Sequence, residues 1–130
     1  KHTAYILSNA DMPGFSRRDQ ARLARLALAH RGKLERLADM GVEEADWDLI
    51  LCLRPAVILN RARCDHAQPP LRLARARRGF CVVADPGWLR ESPLTAAALK
   101  DEELQWQRVG RPFKLQLARA SLASAQDVQA

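Results

Sequence analysis

Around Gln68-Pro69-Pro70 the hydrophobic pattern of this chain changes period, and that change limits what each half can become. Before it, apolar residues recur three and four apart, the spacing of one helix face; after it they alternate, the spacing of one strand face. The chain therefore reads as α+β, with a helical subdomain over residues 1–67, a small β-β-α-β subdomain over 68–119, and a flexible tail of small and polar residues over 120–130.

Within the helical half, residues 2–10 are apolar enough for a short helix, and Asp11-Met12-Pro13-Gly14 breaks it. Ser16 is a good N-cap with Asp19 three residues on, a capping-box spacing. Leu23, Leu26, Ala27 and His30 then fall at i, i+3, i+4 and i+7, one stripe for burial, and Gly32 ends that helix. Residues 33–42 connect, with a single turn around Leu34–Ala38. A third helix is expected from about Glu43 to Ala62. Its centre, Leu49-Ile50-Leu51-Cys52-Leu53, is apolar all round and so predicts enclosure by other elements. Pro55 removes a backbone donor there and predicts a kink without a break.

In the second half, Leu71 and Leu73 alternate with Arg72 in a first strand, Ala76–Gly79 turn, and Phe80–Ala84 form a second. Ser92-Pro93 opens a helix as N-cap and N1, and Gly110 stops it after Val109. Phe113, Leu115 and Leu117 alternate with Lys114 and Gln116 in a last strand.

With 48% hydrophobic and 28% charged residues the composition is that of a folded domain. No apolar run is long enough to span a bilayer, which excludes a helical membrane protein. Lys1 leads straight into an apolar pattern, which reads as the loss of something upstream. The three cysteines form no CxxC pair, and Cys52 and Cys81 stand in apolar stretches that predict buried free thiols and a cytoplasmic protein. A net charge of +6 favours a polyanionic partner. With so few aromatics for base stacking, nucleic acid is the less favoured of these.

No Gly-rich phosphate loop, GxSxG or HExxH occurs, so no catalytic residue is assigned in the chain. Cys64-Asp65-His66 are adjacent residues that cannot all converge on one ion, so no metal ligand is assigned. His30-Arg31 with Lys33 ends the second helix and has two readings, simple dipole capping or a phosphate site. Arg72, Arg75, Arg77 and Arg78 form a basic run on the hairpin, read as edge protection with anion binding as the alternative.

The order of motifs resembles the exopolyphosphatase and guanosine-pentaphosphate phosphohydrolase family. The residues that carry the resemblance are His2-x-x-Tyr5-Ile6-Leu7-x-Asn9, Asp11-x-Pro13-Gly14-Phe15, Ala29-His30-Arg31-x-Lys33 and Leu53-Arg54-x-Ala56-Val57-Ile58-Leu59-Asn60-x-x-Arg63. Pro69-Pro70-Leu71-x-Leu73, Trp88-Leu89, Pro93-Leu94 and Leu99-x-x-Glu102-x-x-x-Trp106 complete it. The resemblance implies an HD-like helical domain and a small C-terminal domain that helps bind polyphosphate and form a homodimer. It places catalysis in two upstream actin-like domains that bind Mg2+, with no cofactor in this part. Of an HD-type ligand set, His2 and His30 match two histidines, but Val57 stands where an aspartate is expected, which reads as a dead metal site. His30, Arg31, Lys33, Arg61 and Arg63 look closer to the polyphosphatase side and are taken as the polyphosphate-binding residues. The alternatives are a pppGpp phosphohydrolase, and a non-enzymatic basic adaptor for nucleic acid.

The helical patterns also place two charges among apolar residues. Arg54 lies in the most hydrophobic helix, and Glu102 on the stripe of Leu94, Ala98, Leu99, Trp106 and Val109. Each needs partners if buried. A structural ion pair between them is one expectation; Arg54 reaching water along its stem, with Glu102 pairing locally, is the other.

Overall fold

The computed structural model describes residues 2–61 and 70–119. Among the described residues, five helices, a 3-10 turn and three strands follow in chain order: α1 His2–Asn9, α2 Arg17–Ala29, the turn Leu34–Leu37, α3 Glu44–Asn60, β1 Leu71–Ala76, β2 Gly79–Ala84, α4 Pro86–Glu91, α5 Pro93–Arg108 and β3 Phe113–Leu117. The fold is α+β. Backbone contacts divide the chain into two units, Lys1–Val57 and Ile58–Ala130.

In the first unit α1 lies against α2. The Gln20 amide on α2 donates to the carbonyls of Leu7 and Ala10, both at 2.7 Å, and so satisfies acceptors that the end of α1 leaves open. The N-cap at the start of α2 forms as the sequence predicts, but the Asp19 carboxylate meets the Ser16 hydroxyl and not the Ser16 backbone N–H that a full capping box would engage. The Asp19 backbone N–H donates to Ser16 Oγ at 3.0 Å, and that hydroxyl donates to Asp19 Oδ2 at 2.7 Å. The stripe on α2 is shifted from expectation. Ala24 and Ala29 are its buried members, whereas Leu23, Leu26, Ala27 and His30 are half-buried. Leu34, Leu37, Trp47, Ile50 and Leu51 fill the rest of this core.

Helix α3 continues through Pro55 without a break. Its apolar centre is not enclosed on all sides. Ile50 and Leu51 are buried, but Leu49 is 45% exposed, Leu53 is 37% exposed, and Cys52 is an exposed free thiol. Only the expectation for Cys81 holds, a buried thiol on β2. Hydrophobicity tells what a helix tolerates, and which side is covered depends on neighbours that a local pattern does not contain.

The second unit is built on a three-stranded sheet of order β1-β2-β3. β1 and β2 are an antiparallel hairpin with Ala76 opposite Gly79, so Arg77 and Arg78 form its two-residue turn. β3 joins β2 in parallel, with Phe80 beside Phe113 and Ala84 beside Leu117. Parallel pairing requires a crossover, and α4 and α5 supply it. Leu71, Val82, Ala84 and Phe113 are buried on one sheet face, and Leu99 and Trp106 on α5 are buried with them. The Trp106 and Phe113 rings stack at 6.3 Å between centroids. The Glu103 carboxylate accepts from the Leu115 backbone N–H on β3, an edge strand. β1 is the other edge, and its run of exposed arginines suits an edge that must stay unpaired.

The helix α4 was absent from the β-β-α-β expectation. Asp85 caps it, its carboxylate accepting from the Trp88 N–H at 3.1 Å, and Pro86 takes N1. Ser92 stands at the N-cap position of α5 but its hydroxyl makes no capping bond, since Ser92 is also the last residue of the preceding helix end. The C-terminus of α5 is a full Schellman motif: Gly110, at φ +74°, donates to the Gln107 carbonyl and Arg111 donates to that of Trp106, each at 3.0 Å.

Gly79 gives a direct test of this unit. Its φ is +123°, and a Cβ placed there would collide with the Pro112 carbonyl oxygen, which accepts from the Phe80 N–H. Gly79→Ala is expected to cost about 2–3 kcal/mol in urea unfolding, because both the backbone conformation and the strand contact are lost. A loss below about 0.5 kcal/mol would mean the hairpin relaxes freely.

Candidate anion-binding site

Three of the five residues expected to hold phosphate fall on one short segment, where α2 ends. A helix end leaves four carbonyls without intrahelical donors, and the aligned peptide dipoles place a partial negative charge there. Here side chains supply the donors. The His30 ring Nδ1 sits 2.5 Å from the Ala27 carbonyl, and because a carbonyl only accepts, Nδ1 carries the proton and Nε2 is left for other contacts. Arg36 donates through Nη2 to the carbonyls of Leu28 at 3.3 Å and Arg31 at 2.9 Å, and through Nε to that of Lys33 at 3.1 Å. Arg54 reaches across from α3, with Nη1 on the Ala29 carbonyl and Nη2 on that of Gly32, both at 2.8 Å.

The result is a segment whose backbone oxygens are held by two guanidinium groups, that of Arg54 buried and that of Arg36 exposed, while Arg31 and Lys33 are exposed as well. Arg61 is also exposed, just past the end of α3 and in the second unit; Arg63 and the cluster Cys64-Asp65-His66 lie outside the described residues. Arg36 had no place in the sequence-based set. Its only sequence signal is a position four residues beyond a helix-ending glycine, which many solvent-facing arginines share.

Both charges expected to be buried are so, Arg54 at 3% exposure and Glu102 at 4%. Arg54 therefore does not extend to water. Part of its satisfaction comes from the two carbonyls above, while Glu102 Oε2 accepts from the Trp106 indole N–H at 3.0 Å. Leu94, placed on the same buried stripe as Glu102, is instead 87% exposed in the first turn of α5.

A second carboxylate, Asp46, is buried without being predicted, and Arg22 Nε donates to it at 2.7 Å. The hydrogen bond to Asp46 and then its charge hold the Arg22 guanidinium above its ordinary value. A raised cationic group keeps its stabilising effect below its unfolded value and loses it only as pH climbs through the folded one. The Arg22–Asp46 contribution should therefore persist unchanged through neutral and mildly alkaline pH. Asp46→Asn is expected to lower the melting temperature equally at pH 7 and pH 9; a gap that closes by pH 9 would refute the assignment.

The positive charge is uneven along the chain. Residues 1–57 carry nine lysines and arginines against eight acids, and residues 58–130 carry twelve against seven. Among the described residues no group of three or more His, Cys, Asp or Glu side chains could hold a metal ion. No described helix is long and apolar enough to cross a membrane.

Fold and segment together define an α+β protein with an organised cationic helix end. Residues 1–103 match the family described as Ppx/GppA phosphatase, domain III. The chain belongs to that family. Similar relatives include the guanosine-5'-triphosphate,3'-diphosphate pyrophosphatases of Vibrio atlanticus, 28% identical over 89% of this chain, and of Photobacterium profundum, 30% identical over the same share. That of Pseudoalteromonas translucida is 32% identical over 85%. The chain spans about a quarter of the length of these relatives, 24%, 24% and 23% respectively.

Proposed function

We propose that this chain is the C-terminal part of a cytoplasmic exopolyphosphatase, and that it holds inorganic polyphosphate while upstream actin-like domains remove the terminal phosphate. The family match over residues 1–103 carries the reading. The exposed Arg31 and Lys33 support it, because guanidinium and ammonium donors bind phosphate oxygens by charge-assisted hydrogen bonds. A long polyanion has a second set of contacts further along the chain at Arg61 and Arg63. Mg2+ belongs to the upstream domains in this reading, and no step is routed through residues of this chain. The C-terminal region also forms a homodimer.

The second reading is hydrolysis of pppGpp, favoured by the printed names of the relatives, which act on a guanosine pentaphosphate. Turnover of long-chain polyphosphate and of pppGpp by the complete protein separates the two. We expect kcat/KM for polyphosphate to exceed that for pppGpp by about tenfold or more, a difference of about 1.4 kcal/mol in transition-state binding. The reverse order would establish the second reading. The chain alone is expected to release no phosphate from either substrate.

A further inference from the structure

We propose that Arg36 and Arg54 are positioning residues that convert the C-terminal end of α2 from an anion-repelling into an anion-binding element, and this rests on the polyphosphate reading above. A helix C-terminus is normally the wrong end for phosphate, since it carries about half a negative charge spread over unsatisfied carbonyls. Phosphate sites in proteins favour the opposite end, where backbone N–H groups point outward. Yet Arg31 and Lys33 are exposed at this end.

The geometry resolves the conflict. Two guanidiniums grip five carbonyls between them: those of Leu28, Arg31 and Lys33 by Arg36, and those of Ala29 and Gly32 by Arg54. Each carbonyl so held accepts from a positively charged group, which offsets its own negative end. The local balance becomes four cationic side chains, Arg31, Lys33, Arg36 and Arg54, in place of a bare negative dipole end. The same bonds fix the backbone from which Arg31 and Lys33 extend, so the two lose less freedom when they close on an anion.

Gly32 belongs to the device for two reasons. Its φ of +82° is open to glycine at little cost, and a Cβ there would strike the Arg36 guanidinium. The positive φ is what restricts the position to glycine, and the missing side chain leaves room for the guanidinium close to the backbone. Arg54 enters from α3, so the segment is tied to a second element and not only to itself.

The test uses the complete protein and long-chain inorganic polyphosphate, with affinity measured by calorimetry across a salt series. Arg36→Gln is expected to weaken binding about tenfold and to flatten the dependence on salt, since one positive charge leaves the site. Arg36→Lys should keep the salt slope but lose several-fold in affinity, because an ammonium cannot hold three carbonyls in a fork. Ser16→Ala unfastens the far end of the same helix and should leave affinity unchanged although it lowers the melting temperature. If Ser16→Ala weakens binding as much as Arg36→Gln does, Arg36 acts through stability alone and the proposal fails. If Arg31→Ala weakens binding while Arg36→Gln does not, the site stands and the positioning role falls. If neither does, the site itself is wrong and both fall together.

Discussion

Replacing Arg54 with alanine will cost about 3–5 kcal/mol of unfolding free energy, the range for removing one partner from a buried charged network. The residue is 3% exposed, and its two Nη groups sit 2.8 Å from the carbonyls of Ala29 and Gly32. Truncation leaves the buried Ala29 carbonyl and the part-buried Gly32 carbonyl with no donor from α3, and it opens a cavity where the stem had packed. Arg54→Lys should recover less than half of the loss, since a single ammonium cannot span two carbonyls in the guanidinium plane. Urea unfolding of the three proteins gives the comparison. A cost below about 1 kcal/mol for Arg54→Ala would show that the α2 end is held by other contacts.

The second large effect is expected in the sheet unit. Trp106 is 2% exposed, stacks on Phe113, and donates from its indole nitrogen to the buried Glu102 carboxylate. Trp106→Ala should cost about 3–5 kcal/mol through lost burial and the cavity left behind. Trp106→Phe keeps a ring against Phe113 but removes a donor from a buried carboxylate, for a cost of about 1–3 kcal/mol. Because the two variants remove different things, their difference measures packing separately from hydrogen bonding. Equal losses in thermal or urea unfolding would mean that the indole N–H dominates and the ring contributes little.

How much of this was legible in the sequence is best seen element by element. The Ser16 N-cap and the Gly110 stop were readable because a cap is a local contract between a side chain and the next few backbone groups. The same rule would have found α4: Asp85-Pro86 is the pattern that Ser92-Pro93 follows, and Asp85 is the one whose side chain makes the capping bond. At six residues α4 is too short to show a periodic apolar stripe, so only its cap marks it. The strands were readable through alternation, but not their pairing. Nothing local says that β3 lies parallel to β2 while β1 lies antiparallel to it.

For the candidate site, the residue types at the end of α2 pointed to anions, and the burial of Arg54 and Glu102 followed from the helical period. Arg36 and the exposed face of α3 did not follow. Arg36 acts by where its guanidinium ends, on carbonyls up to eight residues back, and Leu49, Cys52 and Leu53 are exposed because no described element covers them.

The sequence by itself determined what short-range chemistry can enforce: where helices start and stop, which half is helical, and which residue types carry charge. The tertiary structure alone decided which carbonyls meet which guanidiniums and which faces are covered. Those depend on side chains brought together from positions far apart in the chain, such as Arg54 and Ala29, 25 residues from each other, and no window of local sequence contains both.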